Sequence, residues 1–458
     1  MSYRLFCVKI IGTFDKPVFN FLDQHTNLSF DEAVERCREN GFMYPGSFKD
    51  ELESQGVEVM ETLIDTAPLQ NKWRQENNLP LSDMFDKNDT FFAQIKKFKP
   101  DVVYFQTFFA LAPEVRKWIR KECPSVRLVV GHRGFPLDDA AGYEDVDAVF
   151  LGYPKHHDVW HKVGVKTFNS LHAFDADLLP AIQQKVREIE PINFSFIGHT
   201  GWGSGPHDGR YFDMRKMMDE LPLTVYGHEP NKPIPVIGGL SPDVRVRLRQ
   251  SFLEASKYAP QMSLKALHKI GRVLDMPVLV RAVEATMRRK KFGPDPVPPK
   301  MEDCWWYHVS PIGSLYPDRF RPSRFGLDYL ALLAASKLTW NRHQDTPGSG
   351  ANMRLFEACG VGTCQLVDAR EEVVACYEPG VEIVTYDSIE DCLEKARWLL
   401  NNPVEREKIA KAGQRRTLKD HTTRHRVQDI HNHLVDLLRD LDSIHSIAAA
   451  SEPYVKLG

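Results

Sequence analysis

The sequence lacks a hydrophobic run approaching the ~18 to 20 apolar residues of a membrane span, so no transmembrane helix is predicted. Met1–Ile11 has neither the length nor the cleavage pattern of a secretory leader, and the expected compartment is the cytoplasm. An excess of either charge is missing too. Lys and Arg total 59 against 62 Asp and Glu, a formal net charge of -3, which gives no electrostatic case for a nucleic-acid partner. The eight cysteines, at 7, 37, 123, 304, 359, 364, 376 and 392, form no C-x-x-C pair and no zinc spacing. They read as reduced, buried thiols. Gly 28 and Pro 30 are too few for a disordered chain.

What is present is an ordinary globular composition, 42% hydrophobic and 26% charged, over 458 residues. That length is three times the ~150 residues of a typical domain, so two sizeable domains are expected. Short apolar runs separated by helical stretches give the alternation of parallel sheets with crossover helices. The first series is Arg4–Ile11, Val57–Ile64, Asp101–Phe105, Arg127–Val130, Ala148–Leu151 and Lys166–Phe168. The second is Phe194–Gly198, Leu223–Gly227, Trp305–Val309, Lys337–Trp340, Thr363–Val367 and Glu382–Thr385. Helical stretches are expected at Phe30–Phe42, Leu69–Lys97 and Pro403 to about Leu441, and Leu178–Glu190 reads as a helix or linker. The fold class is therefore α/β, with two Rossmann-like, doubly wound domains facing a cleft. Residues 1–188 form the first and 189–430 the second, with a helical insertion at about 241–300, and 431–458 form a final helix and tail. The insertion's Arg288–Lys291 run reads as a solvated helix end, with peripheral contact to an anionic membrane as the alternative.

Ligands of open α/β sheets bind beyond the carboxyl ends of the strands, so the loops there matter most. After the strand at Lys337–Trp340 come Asn341-Arg342-His343, a Gly-rich loop, and then Asn352-Met353-Arg354-Leu355-Phe356-Glu357 opening a helix. A helix starting near Asn352 turns its free N–H groups and positive end outward, and Arg354 adds a full charge. Those groups suit an anion. Glu357, about a turn further on, suits the vicinal hydroxyls of a ribose. The alternative is that Asn352 only caps the helix and Glu357 pairs with a surface cation. The loop beginning at Gly198 and His199 offers backbone N–H groups to a phosphate, although a plain tight turn explains it as well.

At these residues the chain resembles the CgeB-like bacterial glycosyltransferases, a spore-maturation-type family grouped with the GT-B fold. The likeness is densest in Phe325–Gly362, where Phe-Gly-Leu-Asp-Tyr, Ala-Ala-Ser-Lys, Asn-Arg-His and Ala-Asn-Met-Arg-Leu-Phe-Glu-Ala-Cys-Gly-Val-Gly follow the family's order. It continues through Glu378–Tyr386 to Lys411–Thr417, and more weakly through Gln94–Tyr104 and Ala173–Asp175. The resemblance implies sugar transfer from a nucleoside diphosphate sugar, a uridine donor being expected, to a glycan, lipid-linked or protein acceptor. It implies that Asn352, Met353 and Arg354 line the donor diphosphate, that Glu357 binds the ribose and that Gly198 opens the facing phosphate loop. Arg342, His343 and His199 join the donor-binding set, with a structural role as the alternative for both histidines. By analogy with GT-B enzymes, His308–Tyr316 approaches the nucleobase and the final helices pack back across the first domain.

Ser349 stands eight positions before Glu357, where many retaining GT-B enzymes carry a second glutamate, so the stereochemical outcome stays open. An inverting transfer needs a base. The candidates are Asp15, in the loop after the first strand, and His132, just after Leu128-Val129-Val130; each also has a structural reading. Asp175-Ala176-Asp177 has a metal-binding D-x-D form but lies at the end of the first domain, and neither a cofactor nor a metal is expected. Two rivals remain: a nucleotide-sugar epimerase or hydrolase on the same plan, and a non-catalytic nucleotide-sugar-binding protein.

Overall fold

The computed structural model describes residues 2–11, 15–81, 87–106, 112–134, 137, 139–152, 156–202, 207–227, 266, 309–345 and 351–450. All of the expected insertion except residue 266, its basic run included, and nearly all of the Trp305–Val309 strand lie outside these residues. The first sheet holds β1 (Arg4–Lys9), β2 (Glu58–Leu63), β3 (Val102–Phe105), β4 (Leu128–Arg133), β5 (Ala148–Leu151) and β6 (Lys166–Asn169). Their order is β2-β1-β3-β4-β5-β6, and all pairs are parallel. The second holds β7 (Ile192–Ile197), β8 (Thr224–Gly227), β9 (Phe320–Pro322), β10 (Ser336–Asn341), β11 (Cys364–Asp368) and β12 (Val384–Tyr386), in the order β12-β11-β10-β7-β8-β9. Doubly wound orders of this kind follow from buried, uninterrupted apolar runs such as Val102–Phe105, all four residues of which are inaccessible.

Helices connect the strands: α1 (Asp15–Gln24), α2 (Phe30–Glu39), α3 (Phe48–Glu53), α4 (Ala67–Glu76), α5 (Lys87–Phe98), α6 (Pro113–Glu122), α7 (His157–His161) and α8 (Leu179–Val186). They continue with α9 (Asp208–Glu220), α10 (Ile312–Leu315), α11 (Gly326–Ala334), α12 (Met353–Gly360), α13 (Glu371–Cys376), α14 (Ile389–Asn401), α15 (Pro403–Asp420) and α16 (Thr423–Ala450). On one face of the first sheet Val427, Ile430, Leu434 and Leu438 of α16 pack with Phe48, Leu52, Tyr104 and Phe150. The final helix thus packs on the first sheet. The opposite face buries Phe91, Ile95, Val115, Ile119 and Trp160. In the second sheet's layer, Leu355, Phe356 and Cys359 of α12 join Val367, Val373 and Tyr377.

The chain divides into two compact units, Met1–Gly198 with Lys216–Tyr226 and Pro322–Gly458, and His199–Arg215 with Gly227–Arg321. Within the smaller, the Trp202 indole N–H donates to the Val309 carbonyl at 3.1 Å and the Tyr211 hydroxyl to the Ser310 carbonyl at 2.6 Å. Seven cysteines among the described residues are free and buried.

Four expectations are corrected. The stretch Leu69–Lys97 is two helices, because Asn78 adopts a left-handed φ of 54° and Pro80 follows it. The final stretch breaks between α15 and α16, where the His421 carbonyl and Thr423 N–H bond to Phe174 rather than within a helix. Asp15 opens α1 instead of lying in a loop, and His132 lies inside β4 instead of after it.

Candidate functional site

The geometry centres on the first turn of α12. Asn352 is its N-cap, with φ −74° and ψ 166°, and its Oδ1 accepts the Leu355 N–H at 3.0 Å. The cap forms because Asn can satisfy a terminal N–H while keeping an extended backbone. Leu355, Phe356, Ala358 and Cys359 bury the helix's apolar face, leaving Met353 and Arg354 half-buried at the open end.

Arg354 lies with its guanidinium carbon 5.1 Å from the centroid of Phe196, on β7. It also covers Gly198, at the end of that strand. A Cβ on residue 198 would run into the guanidinium, and Gly198 has φ 143°, a conformation side chains avoid. Gly198 and Arg354 are therefore brought together. The Arg354 Nε is buried with no hydrogen-bond partner, and among the described residues no carboxylate stands within ion-pair distance of this cation.

Glu357 is 8% exposed and accepts a hydrogen bond of 2.6 Å from the Tyr329 hydroxyl of α11. Burial raises its pKa, and the Tyr329 hydrogen bond and the Arg354 charge offset this only in part. Burial and the Glu357 charge hold the Tyr329 hydroxyl well above its ordinary range. Tyr329 is a partner the sequence reading did not single out, although it stands in the Phe-Gly-Leu-Asp-Tyr segment.

His343 is 1% exposed and uses its whole ring. Its Nδ1 and its backbone nitrogen each lie 2.8 Å from Asp368 Oδ1, and its Nε2 accepts the Asn352 backbone N–H at 3.1 Å. Arg342 pairs with Asp345 at 2.6 Å. Asp368, at the end of β11, is 25 residues from His343 and carried no local signal. His199 belongs to the smaller unit, where its Nδ1 accepts the Gly201 N–H at 3.0 Å and its carbonyl accepts from Arg210 at 3.0 Å.

On the first sheet, His132 Nδ1 lies 3.0 Å from the Tyr104 hydroxyl, and among the described residues its Nε2 is buried without a partner. Burial, then neighbouring His172, lowers the His132 pKa to about 3, so the ring is neutral at pH 7. His172 falls to about 4, mainly through burial and then Arg426. Asp175 accepts from the Ser47 backbone N–H at 2.9 Å and hydroxyl at 2.8 Å, which occupies the D-x-D carboxylate structurally. Among the described residues, no group of three or more His, Cys, Asp or Glu side chains could hold a metal ion, and no helix is long and apolar enough to cross a membrane.

No curated protein matches the chain. Among the solved structures that resemble it across nearly its whole length are the following three. Sucrose-phosphate synthase from Thermosynechococcus elongatus gives a TM-score of 0.52 at 11% identity, covering 96% of this chain and 100% of that one. Anabaena Alr3699/HepE, in complex with UDP-glucose, gives 0.50 at 11%, covering 95% and 100%. A glycosyltransferase from Rickettsia africae ESF-5 gives 0.50 at 8%, covering 95% and 99%. At these identities the likeness concerns the fold, which is the two-domain α/β fold of GT-B glycosyltransferases. Residues 278–432, which include α12 and its N-cap, match the family model described as "Glycosyl transferase-like".

Proposed function

We propose that the protein is a glycosyltransferase that takes a hexosyl group from a uridine diphosphate sugar and passes it to an acceptor hydroxyl without a bound metal. The observation that carries this reading is Arg354, a cation with no carboxylate at ion-pair distance among the described residues, held over Gly198 at the open end of α12. A departing diphosphate develops negative charge, and a fixed guanidinium beside helix N–H groups stabilises it with little reorganisation. The match over residues 278–432 and the UDP-glucose complex of the Anabaena neighbour support the same chemistry.

In this reading Met353 and Arg354 meet the diphosphate and Glu357 accepts from the ribose hydroxyls. The acceptor approaches the first sheet, where Asp15 and His132 are the candidates to take its proton. His132 offers a buried nitrogen that is unpartnered among the described residues. With a pKa near 3 it accepts a proton only as the transition state forms, once the hydroxyl has become acidic.

Calorimetry with UDP, GDP, dTDP and CMP tests the reading. We expect selective binding of UDP, a loss of roughly 10- to 100-fold in Arg354→Ala from removal of one charged contact, and turnover unchanged by EDTA. Binding of none of the nucleotides, or equal binding by the Arg354→Ala variant, refutes the assignment. Conversion of UDP-sugar without any acceptor points to an epimerase or hydrolase instead.

A further inference from the structure

Both ring nitrogens of His343 are committed, in opposite senses. Nδ1 is the donor, since the carboxylate oxygen of Asp368 2.8 Å away can only accept. Nε2 is the acceptor, since the Asn352 backbone N–H 3.1 Å away can only donate. Only the neutral ring with its proton on Nδ1 meets both demands. Asp368 is fixed in turn: Arg370 Nε donates to its other oxygen at 2.7 Å, and Arg370 Nη2 donates to the Gln344 carbonyl at 2.8 Å.

At the far end of this relay stands the cap of α12. The Asn352 side chain exchanges hydrogen bonds with Asn341 at 2.8 and 3.0 Å, and Gln365 Nε2 donates to the Leu355 carbonyl at 2.7 Å. The first turn of α12 is thus fastened to the ends of β10 and β11 by buried polar contacts. Such preorganisation is what fixed N–H donors need in order to act on a charged ligand.

We infer that His343 is a positioning residue that holds the first turn of α12 for a nucleoside diphosphate, its Nδ1 anchored on Asp368 and its Nε2 accepting the Asn352 N–H. The inference rests on the proposed donor site.

The test uses the full chain and UDP as probe, with titration calorimetry at about pH 7.5 on the wild type, His343→Gln and His343→Phe. Gln keeps an acceptor for Asn352, whereas Phe keeps the ring's shape and loses both bonds. We expect His343→Phe to bind UDP about tenfold more weakly than the wild type, the scale of one or two hydrogen bonds, and His343→Gln to recover most of that loss. Long-range proton–nitrogen spectra of histidine-labelled protein, which need no ligand, should show the His343 proton on Nδ1 at the same pH. Equal UDP affinity in His343→Phe and the wild type, or a ring protonated on Nε2, overturns the inference while the donor site stands. UDP binding by none of the three proteins overturns both.

Discussion

Glu357 is a carboxylate held where its charge is disfavoured. Burial raises its pKa above the ordinary 4.5 despite the Tyr329 hydroxyl and the Arg354 charge. The sign of the linkage follows. A carboxyl whose folded pKa exceeds its unfolded value is fully tolerated below the unfolded pKa, and it costs stability as pH rises through the folded pKa. Glu357→Gln keeps an oxygen for the Tyr329 hydroxyl and removes the ionisation. The variant should therefore match the wild type at pH 4 and be the more stable protein at pH 7, as urea titration at the two values would show. Its UDP affinity should fall about 10-fold or more, one charge-assisted hydrogen bond being worth ~1.5–3 kcal/mol. A gain in stability paired with a loss of binding marks a group retained for a ligand. A loss of both would make Glu357 a packing residue.

Elements respond to their ends, and α12 is the clearest case. Asn352 supplies the cap to Leu355 and the partner to Asn341, which is fully buried. Asn352→Ala removes both at once: an N-cap is worth ~1–2 kcal/mol, and leaving the buried Asn341 Oδ1 without its donor costs ~1–3 kcal/mol more. Chemical denaturation should show a loss of about 2–5 kcal/mol, against about 1–2 kcal/mol where only a cap is lost at an exposed helix end. The start of this helix was legible in the sequence because an Asn before an apolar-periodic run is a local signal. The strands were legible for a similar reason, their continuous apolar runs being bounded by turn residues. What escaped was non-local. Tyr329 meets Glu357 across 28 positions and Asp368 meets His343 across 25, and neither pairing has any spacing rule. β9 escaped because three residues ending in a proline carry no periodicity, and the break between α15 and α16 is made by a bond to Phe174, far away in sequence.

That bond matters at the scale of the whole molecule, because the chain passes between the two sheet layers twice, once near Phe174 and once at His421–Thr423. The Phe174 N–H donates to the His421 carbonyl at 2.9 Å and the Thr423 N–H to the Phe174 carbonyl at 2.9 Å, so the two crossings are paired backbone to backbone. On either side, the Tyr44 hydroxyl bonds to the backbone of Ala173 and Ser47 bonds to Asp175, both tying the first crossing to the first layer. The Phe174 ring enters the second layer's core with Leu355, Phe356 and Ile182, and it fills the space where a side chain on Gly360 would stand. Phe174 is thus packed into one layer while its neighbours in sequence are bonded to the other. Removing the ring should weaken the coupling as well as the core. Phe174→Ala is expected to lose about 3–5 kcal/mol, as for other buried Phe deletions, and its calorimetric unfolding should separate into two transitions where the wild type shows one. Phe91→Ala, a deletion of the same chemistry inside the first layer alone, supplies the control, since it should lower the transition without splitting it. If both variants unfold in a single transition shifted by the same amount, Phe174 is an ordinary core residue and the layers are coupled elsewhere.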